Sequence, residues 1–176
     1  MKNSSTTNRY SDAIFEIARE DGELDSWKNF LEDLTDVFSD SGTVDFFQDP
    51  KISNKDKLKL ISNSEIKSNS RQLNFLRIIV EKGNVYLFDS ILIRFNKLVD
   101  SFNGIKRADV ITAFKLEQEE LDKINEKLSD LVGSKVVSVN SVDKTILGGF
   151  VAKFDDQMLD MSTKGKLNRL KESIID

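Results

Sequence analysis

The chain has 176 residues, of which 39% are hydrophobic and 32% charged, and a formal net charge of -4. That length fits one medium domain or two small ones, and the apolar content suffices for a core, which excludes wholesale disorder. Neither cysteine nor histidine occurs, which excludes a disulfide framework, a thiol nucleophile, a thiolate metal site and the usual neutral-pH acid/base group.

The N-terminal stretch MKNSSTTNRYSDAIFEIARE has no apolar signal core, and no apolar run approaches the ~20 residues of a membrane span. The expectation is a soluble, unsecreted protein. Its first helix carries Tyr10, Ala13, Ile14, Ile17 and Ala18 at i, i+3, i+4, i+7 and i+8, one stripe of a 3.6-residue period. A second helix follows with Leu24, Trp27, Leu31, Leu34 and Phe38 inward and acids outward, ending near Gly42. Trp27 has the spacing of a core anchor. A short apolar piece over Val44 to Phe47 stops at Asp49-Pro50, because proline disfavours the helical region in the residue before it. Ser53 followed by Asp56 signals the start of a short helix bearing Leu58 and Ile61.

Two longer helices follow. SRQLNFLRIIVEKG places Leu73, Leu76, Ile79 and Val80 on one face and Phe75 and Ile78 on another, with Gly83 as the C-terminal stop. VYLFDSILIRFNKLVDSFNG has a wide stripe from Leu87 to Phe102 that predicts burial along its length, and Gly104 ends it. Beyond Gly104 the period changes. KRADVITAFKL alternates like a strand, LEQEELDKINEKLSDLVG sets Leu121, Ile124, Leu128 and Leu131 along a helix, and SKVVSVNSVD and ILGGFVAKF read as strands joined by a turn at Asp143 to Thr145. DDQMLDMS is a candidate last strand, and TKGKLNRLKESIID a closing helix with Leu167, Leu170 and Ile174 at helical spacing. The expected fold is mainly α with a small α+β part: a bundle of five or six helices over residues 1–104, then an α+β domain over 105–176.

The adjacent glycines in TILGGFVAKF interrupt a strand-like run, and the expected role is structural: a bend, or a close approach by another segment. No phosphate-loop lysine follows them, which disfavours nucleotide binding. Asp155, Asp156 and Asp160 fit no known cation-loop spacing, and Asp155-Asp156 reads as a hairpin turn. No catalytic, cofactor or metal residue is assigned. Residues 1 to 50 carry four Lys/Arg against twelve Asp/Glu, and residues 51 to 104 carry ten against five. The densest basic stretch, with Lys51, Lys55, Lys57 and Lys59, is the one feature that suggests nucleic acid, and it leaves an RNA-binding α+β module as the alternative. A solvated helix face accounts for it more simply, since no aromatic residues are interleaved.

Taken in order, RYSDAIFEIA, the bundle, the strand VITAFKL and the stretch VDKTILGGFVAKFDDQMLDMSTKGKLNRLKESI resemble the delta subunit of F-type ATP synthase, the oligomycin-sensitivity-conferring protein family. The resemblance runs end to end and is strongest over residues 142 to 170, through Val142, Asp143, Gly148, Gly149, Asp160, Ser162, Leu167 and Leu170. Three departures are Met161, where the family usually has glycine, the replacement of the usual glycine before the preceding acid, giving FDDQ, and Ser11, where the family commonly has alanine.

The resemblance implies a non-catalytic stator subunit that ties the catalytic alpha/beta head to the peripheral stalk, so that rotation couples proton transport to ATP synthesis. It implies that the bundle receives N-terminal helices of alpha subunits along its first and fifth helices. The candidate lining is Tyr10, Ala13, Ile14, Phe75 and Ile78. The C-terminal domain would engage the C-terminal ends of b-type stalk subunits. The expectation is one copy per complex, monomeric when isolated, with no cofactor, nucleic acid or membrane insertion. It would be peripheral, through its partners, to the cytoplasmic face of a bacterial membrane or the stromal face of a thylakoid.

Overall fold

The structure is a computed structural model that describes residues 2–62, 68–154 and 157–175. The chain divides into two compact units, Met1–Val99 and Asp100–Asp176. The first is helical: α1 (Lys2–Asp21), α2 (Leu24–Val37), α3 (Ser41–Gln48), α4 (Asn54–Ser62), α5 (Ser70–Glu81), a 3-10 turn at Val85–Leu87, and most of α6 (Phe88–Phe102). The second contains β1 (Ile105–Thr112), α7 (Gln118–Val132), β2 (Lys135–Val142), β3 (Phe150–Lys153), β4 (Met158–Asp160) and α8 (Thr163–Ile175). The chain is mainly α with a small α+β part.

The first unit is organised by aromatic and branched side chains that the helical stripes turn inward. Ile14, Trp27, Phe30, Leu31, Leu34, Leu76, Ile79, Phe88, Ile91 and Phe95 are at most 1% exposed. Edge-on ring pairs join the elements, with Phe15 on Phe95, Trp27 on Phe75 and Phe38 on Phe47. Ser11 sits inside this packing without an orphaned hydroxyl. Its Oγ lies 2.9 Å from the Thr7 carbonyl and 3.3 Å from that of Ile91.

Helix boundaries follow local chemistry. Asp40 accepts from the Thr43 amide at 2.8 Å and starts α3. The second helix therefore stops at Val37, and Gly42, expected to end it, lies in the first turn of α3. Ser53 and Asp56 are bonded to each other at the start of α4, with Ser53 Oγ donating at 2.7 Å. The side chain of Ile61 lies outside the described residues.

The inward face of α5 differs from the expected one. Gln72, Phe75, Leu76, Ile79 and Val80 are buried, while Leu73 and Ile78 are about half exposed. In α6, Phe88, Ile91 and Phe95 are buried, but Phe102 is 56% exposed, so burial does not run the full length of the stripe.

The second unit is a four-stranded sheet in the order β2-β1-β3-β4. β1 and β2 are parallel in the register Ile105 with Lys135, and α7 is the crossover that a parallel pair requires. β3 lies antiparallel to β1, pairing Thr112 with Phe150, and β4 antiparallel to β3, pairing Val151 with Asp160. The expected turn at Asp143 to Thr145 follows β2, with the Ile146 amide donating to the Asp143 carbonyl at 3.1 Å, but β2 and β3 are not paired, since β1 lies between them. Ala108, Val110, Val136, Ala152 and Leu128 form the small core, whereas Leu131 of α7 is exposed. The expected turn at Asp155-Asp156 lies outside the described residues.

Candidate functional site

A groove between α1 and α5 is set up by the way α5 begins. The Asn69 side chain accepts from the Gln72 amide at 2.9 Å, and the Gln72 side chain accepts from the Asn69 amide at 2.8 Å, a reciprocal cap. The same two side chains reach across to α2 and its start. Gln72 Nε2 donates to Ser26 Oγ at 3.1 Å, and Asn69 Nδ2 donates to Glu23 at 2.8 Å. One turn later Phe75 meets the Trp27 ring edge-on, with centroids 5.9 Å apart. These contacts hold α5 against α2.

Opposite it, α1 runs antiparallel to α5. Asp21, at the end of α1, pairs with Arg71 at the start of α5. Tyr10, nearer the start of α1, packs its ring edge-on against Phe75 at 6.2 Å and accepts from Asn84 Nδ2, just past the end of α5, at 3.1 Å. Between the two helices lies a cavity of about 1030 Å³ lined by Thr6, Arg9, Tyr10, Asp12, Ala13, Ile14, Ile17, Trp27, Arg71, Asn74, Phe75, Ile78 and Lys82.

All five residues expected to line a groove, Tyr10, Ala13, Ile14, Phe75 and Ile78, border this cavity. They do so unequally. Ile14 and Phe75 are buried core side chains that form its wall, Tyr10 is half-buried, and Ala13 and Ile78 are exposed. Trp27 is core, as its spacing predicts, and also borders the cavity. Its indole Nε1 is buried without a hydrogen-bond acceptor, between edge-on contacts to Phe30 and Phe75.

Sequence reasoning missed Thr6, Arg9 and Ile17 on α1 and Arg71, Asn74 and Lys82 on α5. Each stands three or four residues from a named groove residue on the same helix face, and that spacing was the available signal.

The charges around the groove are not symmetric. Asp12 is engaged by Arg94 of α6 through Nε at 3.1 Å and Nη2 at 2.9 Å, and Arg71 by Asp21. Arg9 and Lys82 have no ion pair among the described residues, and the antiparallel arrangement puts both at the same end.

In the second unit, the residues at 142 to 170 form a clasp around the start of α8. The Thr163 amide donates to the Gly148 carbonyl and the Met161 amide to the Phe150 carbonyl, both at 2.9 Å. Gly149 has φ +76°, and a β-carbon there would stand 2.5 Å from the Met161 carbonyl oxygen. The glycines lie just before β3, not inside a strand, and the close approach is by the segment that carries Met161.

Asp160 accepts from the Ser162 amide at 2.8 Å, and Ser162 Oγ accepts from the Gly165 amide at 3.0 Å, which caps α8. The Ser162 hydroxyl and amide, with lesser help from Arg169 and Lys164, hold the Asp160 carboxyl below the ordinary carboxylate range. Asp143 is likewise held low by the amide and then the hydroxyl of Thr145, at 2.9 and 2.7 Å. Val142 ends β2 and is exposed.

From this clasp α8 presents Leu167 and Leu170, 61% and 58% exposed, with Leu147 beside its start at 87%. Lys164, Lys166, Arg169 and Lys171 share that helix. The side chain of Ile174 lies outside the described residues.

The lysine stretch does not present one basic face. Lys57 is 4% exposed and donates Nζ to the Asp49 carbonyl at 2.8 Å, and Lys59 lies 3.9 Å from Asp56. Among the described residues no group of three or more acids is placed to hold a metal ion, and no helix is long and apolar enough to cross a membrane.

The sequence matches the profile of the family described as "ATP synthase delta (OSCP) subunit" over residues 6–174. It is similar to the ATP synthase subunit delta of Haemophilus ducreyi, 29% identical over 99% of both chains. It is also similar to that of Desulfotalea psychrophila, 31% identical over 99% of this chain and 98% of that one. The fold is similar to a chain of the cryo-EM structure of the Toxoplasma gondii mitochondrial ATP synthase hexamer, with a TM-score of 0.59 at 18% identity and 97% of each chain covered.

Proposed function

The chain belongs to the ATP synthase delta (OSCP) subunit family, and from that premise we propose that it acts without catalysis, as a clamp with two docking surfaces. It is a stator subunit of the ATP synthase, associated with the membrane through the complex. In the proposed division of labour, the helical unit receives an amphipathic N-terminal helix of an alpha subunit, and the second unit engages the C-terminal ends of the b-type stalk. The bacterial cytoplasmic face, or the stromal face of a thylakoid, is the compartment that goes with this reading.

The observation that supports the first surface is the α1/α5 groove. Its walls are core residues, its exposed margin is Ala13 and Ile78, and its length along two antiparallel helices suits a helix laid between them. The exposed Leu147, Leu167 and Leu170 support the second surface, because a docking face keeps apolar side chains in solvent only until its partner arrives.

The test is calorimetric titration of the full chain with a peptide of the host's alpha-subunit N-terminal helix. Saturable one-to-one binding that Ile78→Asp abolishes, in a variant that remains folded, supports the reading. No binding by the unaltered chain overturns it.

A further inference from the structure

We infer that the α1/α5 groove accepts its helix in one direction only, with a carboxylate-bearing end seated between Arg9 and Lys82. The inference rests on the groove being a helix-docking site and adds which chemistry the occupant carries and where.

Four charged residues line the cavity, and two of them are already satisfied. Asp12 is held by Arg94, and Arg71 by Asp21. Neither presents a net charge to an incoming partner. Arg9 and Lys82 are exposed and have no ion pair among the described residues.

Their positions follow from the antiparallel packing. The contact of Asp21 with Arg71 fixes one end of the groove, where α1 finishes and α5 starts. The hydrogen bond from Asn84 to Tyr10 fixes the other, where α5 finishes. Arg9 precedes Tyr10 and Lys82 precedes Asn84 by two residues, so both cations flank that second end.

An amphipathic helix in this groove meets apolar walls along its length, which are indifferent to its direction, and uncompensated positive charge at one end, which is not. Acids placed there gain two partners. The reversed helix leaves Arg9 and Lys82 facing either nothing or like charge, an arrangement that selects against the wrong orientation.

The absence of cysteine from the chain permits a direct test. The full-length Thr6→Cys variant, which keeps both Arg9 and Lys82 and places the thiol at the same end of the groove, is mixed in air-saturated buffer with alpha-subunit N-terminal peptides carrying a single cysteine at one end or the other, and disulfide trapping is timed. Faster trapping of the peptide labelled at its acidic end supports the inference. Equal trapping, or faster trapping of the opposite end, overturns it.

Charge reversal supplies the second measurement. Arg9→Glu with Lys82→Glu weakens binding about tenfold or more at about 0.05 M salt, with the difference shrinking by about 0.5 M as screening sets in. A peptide with its acids changed to lysine recovers affinity for the doubly reversed protein. The pair Lys51→Glu with Lys55→Glu makes the same change in net charge away from the groove lining and leaves affinity unchanged. Affinity equal in the reversed and unaltered proteins overturns the orientation while leaving the docking site standing. No peptide binding by the unaltered protein removes the docking site and the inference together.

Discussion

Gly149 stands directly under the Met161 carbonyl, so close that a β-carbon on Gly149 would lie 2.5 Å from that oxygen. The same residue has a left-handed backbone, with φ +76°. Two independent constraints thus converge on one position. Gly149→Ala is expected to destabilise the second unit by about 3 kcal/mol or more, through backbone strain and displacement of the Met161 segment. Gly148→Ala should cost much less, because its new β-carbon would meet only the Thr163 hydroxyl, at 3.1 Å. Hydrogen exchange of the β1 and β3 amides measures both, and equal losses would count against the close-approach account.

Ile14 and Ile78 both border the groove but predict opposite phenotypes. Ile14→Asp places a charge where exposure is 1% and should unfold the helical unit, at a cost of about 4 kcal/mol or more. Ile78, 48% exposed, tolerates aspartate within about 1 kcal/mol. Urea titration with peptide binding on the same samples separates them: the first variant loses fold and binding together, the second binding alone.

The second surface gives a parallel prediction. Leu167→Asp with Leu170→Asp changes side chains that are more than half exposed and should leave the thermal midpoint almost unaltered. The altered subunit should still bind the alpha-subunit peptide but fail to recruit the stalk in a pull-down with b-type subunits. Retention of the stalk by the double variant would direct attention to another face.

The Asp160 carboxyl carries a pH signature. Its folded value lies below its unfolded one, so its contribution to stability is fully present above the unfolded value and is lost as pH falls through the folded value. The gap in stability between the native chain and Asp160→Asn should therefore be widest at neutral pH and close under acid conditions below about pH 4. Exchange rates of the α8 and β3 amides, followed from neutral to acid, provide the measurement, and a gap independent of pH would refute it.

Ser11 is fully buried, and its hydroxyl donates to carbonyls that lie within α1 and α6. Ser11→Ala should therefore change stability by no more than about 1 kcal/mol, since both acceptors sit in helical runs. A larger loss in chemical denaturation would mean that the contact to Ile91 ties α1 to α6 more strongly than its 3.3 Å length suggests.

Helices and strands were legible wherever the period was long, and the failures have physical causes. The apolar residues of α5 alone point to the wrong phase, because its buried face includes a glutamine. Gln72 is 2% exposed, satisfied by Asn69 and Ser26, and a stripe that includes it runs through Phe75 and leaves Leu73 outside. The stretch ILGGFVAKF reads as one strand-like run around its glycine pair, yet pairing begins only at Phe150, because Gly149 turns the backbone away from strand geometry first.

The groove was only half legible. The resemblance points to Tyr10, Ala13, Ile14, Phe75 and Ile78 together, but periodicity cannot distinguish a buried wall such as Ile14 from an exposed rim such as Ile78. Arg9 and Lys82 carry no apolar signal at all. Their place at one end of the groove depends on α1 and α5 being antiparallel, a long-range fact that no local pattern encodes.

The single tryptophan has an optical consequence. Trp27 and both tyrosines, Tyr10 and Tyr86, belong to the helical unit, and residues 100 to 176 contain neither type. Intrinsic near-ultraviolet emission is therefore blind to half of the molecule, while far-ultraviolet dichroism sees all of it. Denaturation of one unlabelled sample, read in both channels, distinguishes a chain that melts as a whole from one whose two units melt in turn, and the same indole, bordering the groove, reports when a partner arrives.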